Sequence, residues 1–151
     1  MKPSTDVAFT EAVKAEQAKR GSRAAYARVE ARGGWPTAIT RDLADFLATA
    51  QHAFLATASA DGQPYVQHRG GPPGFLRVVD ERTIAFEDFE GNKQYISIGN
   101  LAENPRVCLF VADFDEKRRV KIWGTARVIE NAERAIVISV SAWSENCPQY
   151  L

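Results

Sequence analysis

The sequence predicts a mainly β fold of the α+β kind, an antiparallel barrel with flanking helices. Three observations carry that prediction. Short strand-like segments follow one another with turn chemistry between them. No regular alternation of strand and helix appears, which argues against a doubly wound parallel sheet. A chain of 151 residues with 45% hydrophobic content suits one domain with a real core. Composition divides the chain into a helical arm, residues 1–38, and a barrel domain, residues 39–151.

Residues 6–32 are rich in Ala, Glu, Lys and Arg. Val7, Val13 and Ala18 form a weak helical stripe that breaks at Gly21-Ser22, and Ser22 can cap a second short helix running to Val29. Gly33-Gly34-Trp35-Pro36 ends it. The arm is too polar to be a core, so it is expected to pack on the domain or on a partner subunit. Thr40 then caps a helix whose Leu43, Phe46 and Leu47 share one face.

Residues 53–59 read as a strand, Asp61-Gly62 as a hairpin turn, and 64–68 as the returning strand. Gly70-Gly71-Pro72-Pro73-Gly74 reads as loop. Segments 75–79 and 83–87 flank Asp80-Glu81-Arg82 as a second hairpin. Residues 93–102 place Tyr95, Ile98 and Leu101 on one helical face, and Asn104-Pro105 stops that helix. Strands are expected at 106–114, 120–130 and 135–141, the last buried on both faces or nearly so. Cys108 falls inside an apolar run and is expected in the core. Trp123 reads as core or interface.

Nineteen basic and nineteen acidic residues balance, so no broad field exists to hold a nucleic-acid backbone. Two cysteines, Cys108 and Cys147, and two histidines, His52 and His68, fit no metal-ligand spacing. No metal site is expected. No stretch is apolar enough to span a bilayer and no signal region opens the chain, so a cytoplasmic address is expected.

Four segments can carry chemistry. In Gln67-His68-Arg69-Gly70-Gly71-Pro72-Pro73-Gly74, glycines let a ligand approach the backbone and Arg69 can grip a phosphate with two parallel hydrogen bonds. A surface loop is the competing reading at about even odds. Asp88-Phe89-Glu90-Gly91-Asn92-Lys93-Gln94 runs into a helix whose first turn would contain Lys93. A helix start attracts anions, although taken alone a tolerated surface lysine is favoured. Trp143-Ser144-Glu145-Asn146-Cys147-Pro148-Gln149 could cover the edge of an aromatic ring, or Trp143 could anchor a tail. Lys117-Arg118-Arg119-Val120-Lys121 reads as an outward-facing charged hairpin, with a site for a phosphorylated co-substrate as the minority reading.

Taken in order, these pieces resemble the pyridoxamine 5′-phosphate oxidase-related, FMN-binding split-barrel family. The resemblance rests on Phe54-Leu55-Ala56-Thr57, Asp61-Gly62-Gln63-Pro64, the 67–76 segment, and Gly91-Asn92-Lys93-Gln94 leading to Asn100-Leu101-Ala102-Glu103-Asn104-Pro105. Lys121-Ile122-Trp123-Gly124-Thr125-Ala126 and the 143–149 segment complete it. It covers roughly residues 40–149.

The resemblance implies a homodimer with FMN in clefts between the subunits. By position, Arg69 and Lys93 would bind the FMN phosphate. Gln67, His68 and Gly70 would run beside the ring or the ribityl chain, and Asn92 and Gln94 would add polar contacts. Trp143, Asn146 and Gln149 would approach from the partner subunit. It further implies an FMN-dependent oxidoreductase acting on a small molecule, with NAD(P)H as a possible reductant. The alternative is a non-catalytic flavin, haem or deazaflavin carrier, or a redox sensor, on the same fold. A third reading is a stress-response interaction domain with a vestigial pocket. His68 is a weak catalytic candidate, and Cys147 is read as structural. The basic residues that hold the vitamin-B6 oxidase's substrate phosphate are not all present, so that oxidation is not the expected activity. Family members are also expected to carry a longer segment between residues 130 and 134, and a tail beyond Leu151.

Overall fold

The computed structural model describes residues 2–89 and 91–145. A short 3-10 turn at Ser4–Val7 leads to α1 (Glu11–Arg20) and α2 (Arg23–Ala31), and α3 (Arg41–Thr49) precedes the sheet. Strands β1 (His52–Ala58), β2 (Pro64–Gly70), β3 (Arg77–Asp80) and β4 (Thr83–Glu87) come next. Helix α4 (Ile96–Glu103) then separates them from β5 (Arg106–Asp113), β6 (Arg118–Glu130) and β7 (Arg134–Glu145). The pairings are antiparallel, in the order β2-β1-β5-β6-β7-β4-β3. The sheet curls into a split barrel in which β2 and β3 each keep one unpaired edge.

Alternation along the strands builds the core. Ala53 and Leu55 of β1, Leu109 and Val111 of β5, Val120 and Ile122 of β6, and Ile136 and Ile138 of β7 point inward and are buried. Helix α3 closes one end. Thr40 Oγ1 accepts the Leu43 N–H at 3.2 Å, and the i, i+3, i+4 spacing turns Leu43, Phe46 and Leu47 into the core. Each such buried side chain stabilises the fold by about 1.5–3 kcal/mol. Arg118 lies 4.6 Å from the Phe46 ring and bonds Asp42 at 3.1 Å and Glu145 at 2.8 Å. That residue of the basic hairpin is therefore committed to the barrel end.

The N-terminal arm packs on its own barrel. Trp35 stacks on Trp123 of β6 at 4.8 Å, and Phe9 meets Trp35 edge-on at 5.1 Å. Ser4 Oγ donates to Trp35 O at 2.5 Å. Trp123 is thus half-buried beneath the arm, on the outer face of the sheet.

Several expectations need correction. Cys108 is half-buried on the outer face, because Val107, Leu109 and Val111 take the inward positions of β5. Burial pushes its thiol up, with Lys121 and the Ile122 backbone opposing. Strand β7 extends to Glu145 because it keeps pairing with β6 as far as Val120. Its outer face is buried at Val137 but open at Ser139, so two-sided burial is local. Helix α4 begins at Ile96, and Lys93 lies in the preceding turn. Asn92 Oδ1 accepts the Gln94 N–H at 3.1 Å, and Lys93 and Tyr95 take left-handed φ values of 61° and 56°, which a right-handed helix excludes. Gly70 belongs to β2, opposite His52, and not to the loop.

Candidate functional site

The split in the barrel opens a cleft. Strand β2 has no partner beyond β1, and β3 none beyond β4. Between them lies a cavity of about 470 Å³. That size suits an organic ligand, since such pockets run from roughly 300 to 1,000 Å³. Pro72, Pro73, Phe75, Phe86 and Phe89 supply apolar walls, while Gln67, His68, Arg69, Arg77 and Glu87 supply polar ones. Phe89 is 73% exposed at the rim.

Register explains how β2 presents its residues. Gln67 and Arg69 pair with Leu55 and Ala53 and share their inward side, whereas His68 pairs with Phe54 on the outer side. All three still border the cleft because β2 is an edge strand. His68 Nε2 and His52 Nδ1 lie 3.1 Å apart in a hydrogen bond that uses one imidazole as donor and the other as acceptor. A Cβ at Gly70 would come within 2.8 Å of His68 Cε1, so glycine there lets the ring lie over the backbone.

The inward pair is tied into a buried polar network. Gln67 Oε1 accepts from Ser97 Oγ at 2.8 Å and from Arg69 Nη2 at 3.1 Å. Arg69 Nη1 pairs with Asp88 Oδ1. The other Asp88 oxygen accepts from Arg134 Nε at 2.8 Å. The Asp88 side chain is 3% exposed and that of Arg69 11%. Asp88 raises the Arg134 pKa above its ordinary value, and the Arg134 guanidinium lies 5.3 Å from the Tyr95 ring. Arg69 Nε is buried with no hydrogen-bond partner among the described residues. A buried donor left without a partner is costly, and a ligand acceptor would relieve it.

Asn92 and Gln94 line a small recess together with Gln67, Arg69, Asp88, Tyr95 and Arg134. Lys93, between them, is exposed on its left-handed turn. Gln67, His68, Arg69 and Gly70 line the cleft between β2 and β3, so the two predicted constellations meet at Gln67 and Arg69. Trp143 does not join them within one chain. Its Nε1–H donates to Ala38 O at 2.9 Å and its backbone N–H to Pro36 O at 3.0 Å. Asn146, Cys147 and Gln149 lie outside the described residues. Asp88 was read only as part of a segment, and Arg134, Ser97 and His52 were not read as site residues. Their link to Gln67, Arg69 and His68 is made by tertiary pairing, for which no local sequence signal exists.

Among the described residues no group of three His, Cys, Asp or Glu side chains could hold a metal ion, and no helix is long and apolar enough to cross a membrane.

Known proteins fit this geometry. A family model for pyridoxamine 5′-phosphate oxidase matches residues 39–149. No curated protein sequence matches significantly. Among solved structures, HupZ of Group A Streptococcus is 20% identical with a TM-score of 0.54, over 71% of this chain and 93% of that one. A Lactobacillus delbrueckii protein provisionally named a pyridoxamine 5′-phosphate oxidase is 21% identical with a TM-score of 0.55, over 72% and 95%. An F420 reductase is 19% identical with a TM-score of 0.52, over 66% and 94%. At these identities the likeness is one of fold.

Proposed function

The chain belongs to the pyridoxamine 5′-phosphate oxidase family, and on that premise we propose that it binds FMN in the split of the barrel and works as an FMN-dependent oxidoreductase on a small molecule. One observation carries the reading. The cleft combines apolar walls, which suit a flat ring, with an arginine whose buried Nε–H lacks a partner. The donor set fits the cofactor. Arg69 and Lys93 are the cations for its phosphate. Gln67, His68 and the 70–74 backbone offer polar contacts along the ring edge and ribityl chain, and Asn92 and Gln94 add contacts beside Arg69. Bound flavin supplies hydride or electron transfer. The chain's own residues hold it, exclude water and place donors where reduced flavin gathers negative charge.

The second half of the proposal is a homodimer. Val66 is 62% exposed and Phe114 51% exposed, and both lie near the ring cluster of half-buried Phe54 and Phe110 and exposed His68 on or beside the outer face. Such a patch suits association. A second copy would also be the source of Trp143, Asn146 and Gln149 for the cleft. The competing reading, a flavin, deazaflavin or haem carrier or a redox sensor, uses the same cleft without turnover.

An absorption spectrum before and after anaerobic NADPH tests both readings. Flavin bands that bleach support the oxidoreductase. Flavin bands that persist favour a carrier or another reductant. A protein that takes up no added FMN refutes the proposal. Arg69→Ala combined with Lys93→Ala is expected to abolish FMN binding. Light scattering on Val66→Lys is expected to show monomer where the parent protein shows dimer.

A further inference from the structure

A buried carboxylate is out of place in a site for an anion. Asp88 nevertheless sits beside Arg69 with its side chain 3% exposed. It repels a phosphate, so its presence calls for an explanation other than charge. The geometry offers one. Asp88 divides its two oxygens between two guanidinium groups, Oδ1 to Arg69 and Oδ2 to Arg134. Two cations against one anion leave a net charge of +1, so the cluster still attracts a phosphate.

Arg69 is a long side chain on an edge strand. Without a fixed partner its guanidinium would sample many orientations and lose entropy on meeting a ligand. Asp88 holds Nη1, Gln67 holds Nη2, and Nε is left as the buried donor without a partner. Asp88 is in turn held from its far side by Arg134, which extends from the start of β7. The clamp therefore joins β2, the end of β4 and β7 around one orientation of Arg69.

We propose that Asp88 is a positioning residue that fixes the Arg69 guanidinium at the cleft wall, with Arg134 as its brace, and so makes the site select a phosphorylated ligand over its unphosphorylated counterpart. This rests on the FMN reading and deepens it. The result runs against simple electrostatics. Removing a negative charge from an anion site should tighten phosphate binding, whereas removing the positioning group should weaken it.

The test compares FMN with riboflavin, which lacks the phosphate, by fluorescence titration of the full chain and of Asp88→Asn. In the variant, the FMN-to-riboflavin affinity ratio is expected to fall by about ten- to a hundredfold, the worth of one charge-assisted hydrogen bond. Restoring the carboxylate with Asp88→Glu should recover part of the ratio. A ratio that rises or stays constant overturns the role, as does an equal loss for both ligands, which would mark Asp88 as a general fold element. If Asp88→Asn does not yield folded protein, Arg134→Gln carries the same test. Its ratio should fall severalfold, and an unchanged ratio overturns the bracing. Failure of the FMN reading itself is distinguishable, because the unaltered protein would then bind neither ligand, and the role of Asp88 would fall with it.

Discussion

Gln67 joins β2 to α4, and replacing it isolates the structural worth of the polar network from any ligand. In Gln67→Leu the side chain keeps a similar length and loses its acceptor. Ser97 Oγ, bonded at 2.8 Å and on a residue 1% exposed, is left with an unpaired hydroxyl. Arg69 Nη2, bonded at 3.1 Å, loses its Gln67 partner, and the guanidinium keeps only Asp88 on Nη1. A neutral hydrogen bond contributes about 0.5–1.5 kcal/mol and one to a charged group about 1.5–3, so the loss should be about 2–4 kcal/mol. With a urea slope of about 2 kcal/mol/M, the unfolding midpoint should fall by roughly 1–2 M. Gln67→Glu serves as the control, because it keeps the acceptor and places a charge against Arg69, and its loss should stay near 1 kcal/mol or less. Urea denaturation of the ligand-free protein followed by tryptophan fluorescence reads both. A loss below about 0.5 kcal/mol for the leucine variant, or equal losses for the two, would show that water replaces Gln67 and that the network is not rigid.

Three further outcomes follow from the structure. Trp35→Ala removes the stack on Trp123 and should cost about 2 kcal/mol of arm docking, seen as faster hydrogen exchange in residues 2–35; unchanged exchange would mean the arm is held elsewhere. Glu133 raises the Glu87 pKa above its ordinary 4.5, by hydrogen bonding and by like charge. A raised acid contributes stability that is present at low pH and lost as pH rises through the raised value. Glu133→Gln should therefore match the parent protein near about pH 4 and melt higher near about pH 8, and a constant difference across that range would refute the raised Glu87 pKa. Gly124→Ala would drive a Cβ into Ser139 O, at the register shift between β6 and β7. That strain should cost about 1–3 kcal/mol in thermal unfolding, and a neutral result would mean the two strands part freely there.

The sequence was most informative where local chemistry decides local structure. Thr40 begins α3 as its hydroxyl predicts, and β4 occupies 83–87 as the turn at 80–82 implies. It was least informative where a polar segment has two outlets. Lys93 and Gln94 are good helix formers, yet the Asn92 side chain captures the Gln94 N–H, and Lys93 and Tyr95 take left-handed backbone. The end of β7 is not legible along the segment because it is set by pairing with β6 as far as Val120. In the site, Gln67, His68 and Arg69 were legible from their glycine-rich neighbourhood. Asp88 and Arg134 were not, because a buried ion pair is a property of register among β2, β4 and β7 and leaves no mark along any one of them.

The two open margins of the barrel have a consequence for the protein's life in a crowded cell. A bare strand margin is a template on which a stray chain can crystallise its own backbone. Here β3 is only four residues long and begins with Arg77, and β2 carries Gln67, His68 and Arg69 before running into Pro72 and Pro73. Short length, charge and proline all discourage such growth. The polar residues that line the cleft therefore also discourage edge-to-edge growth, so a substitution that makes β2 more apolar threatens solubility.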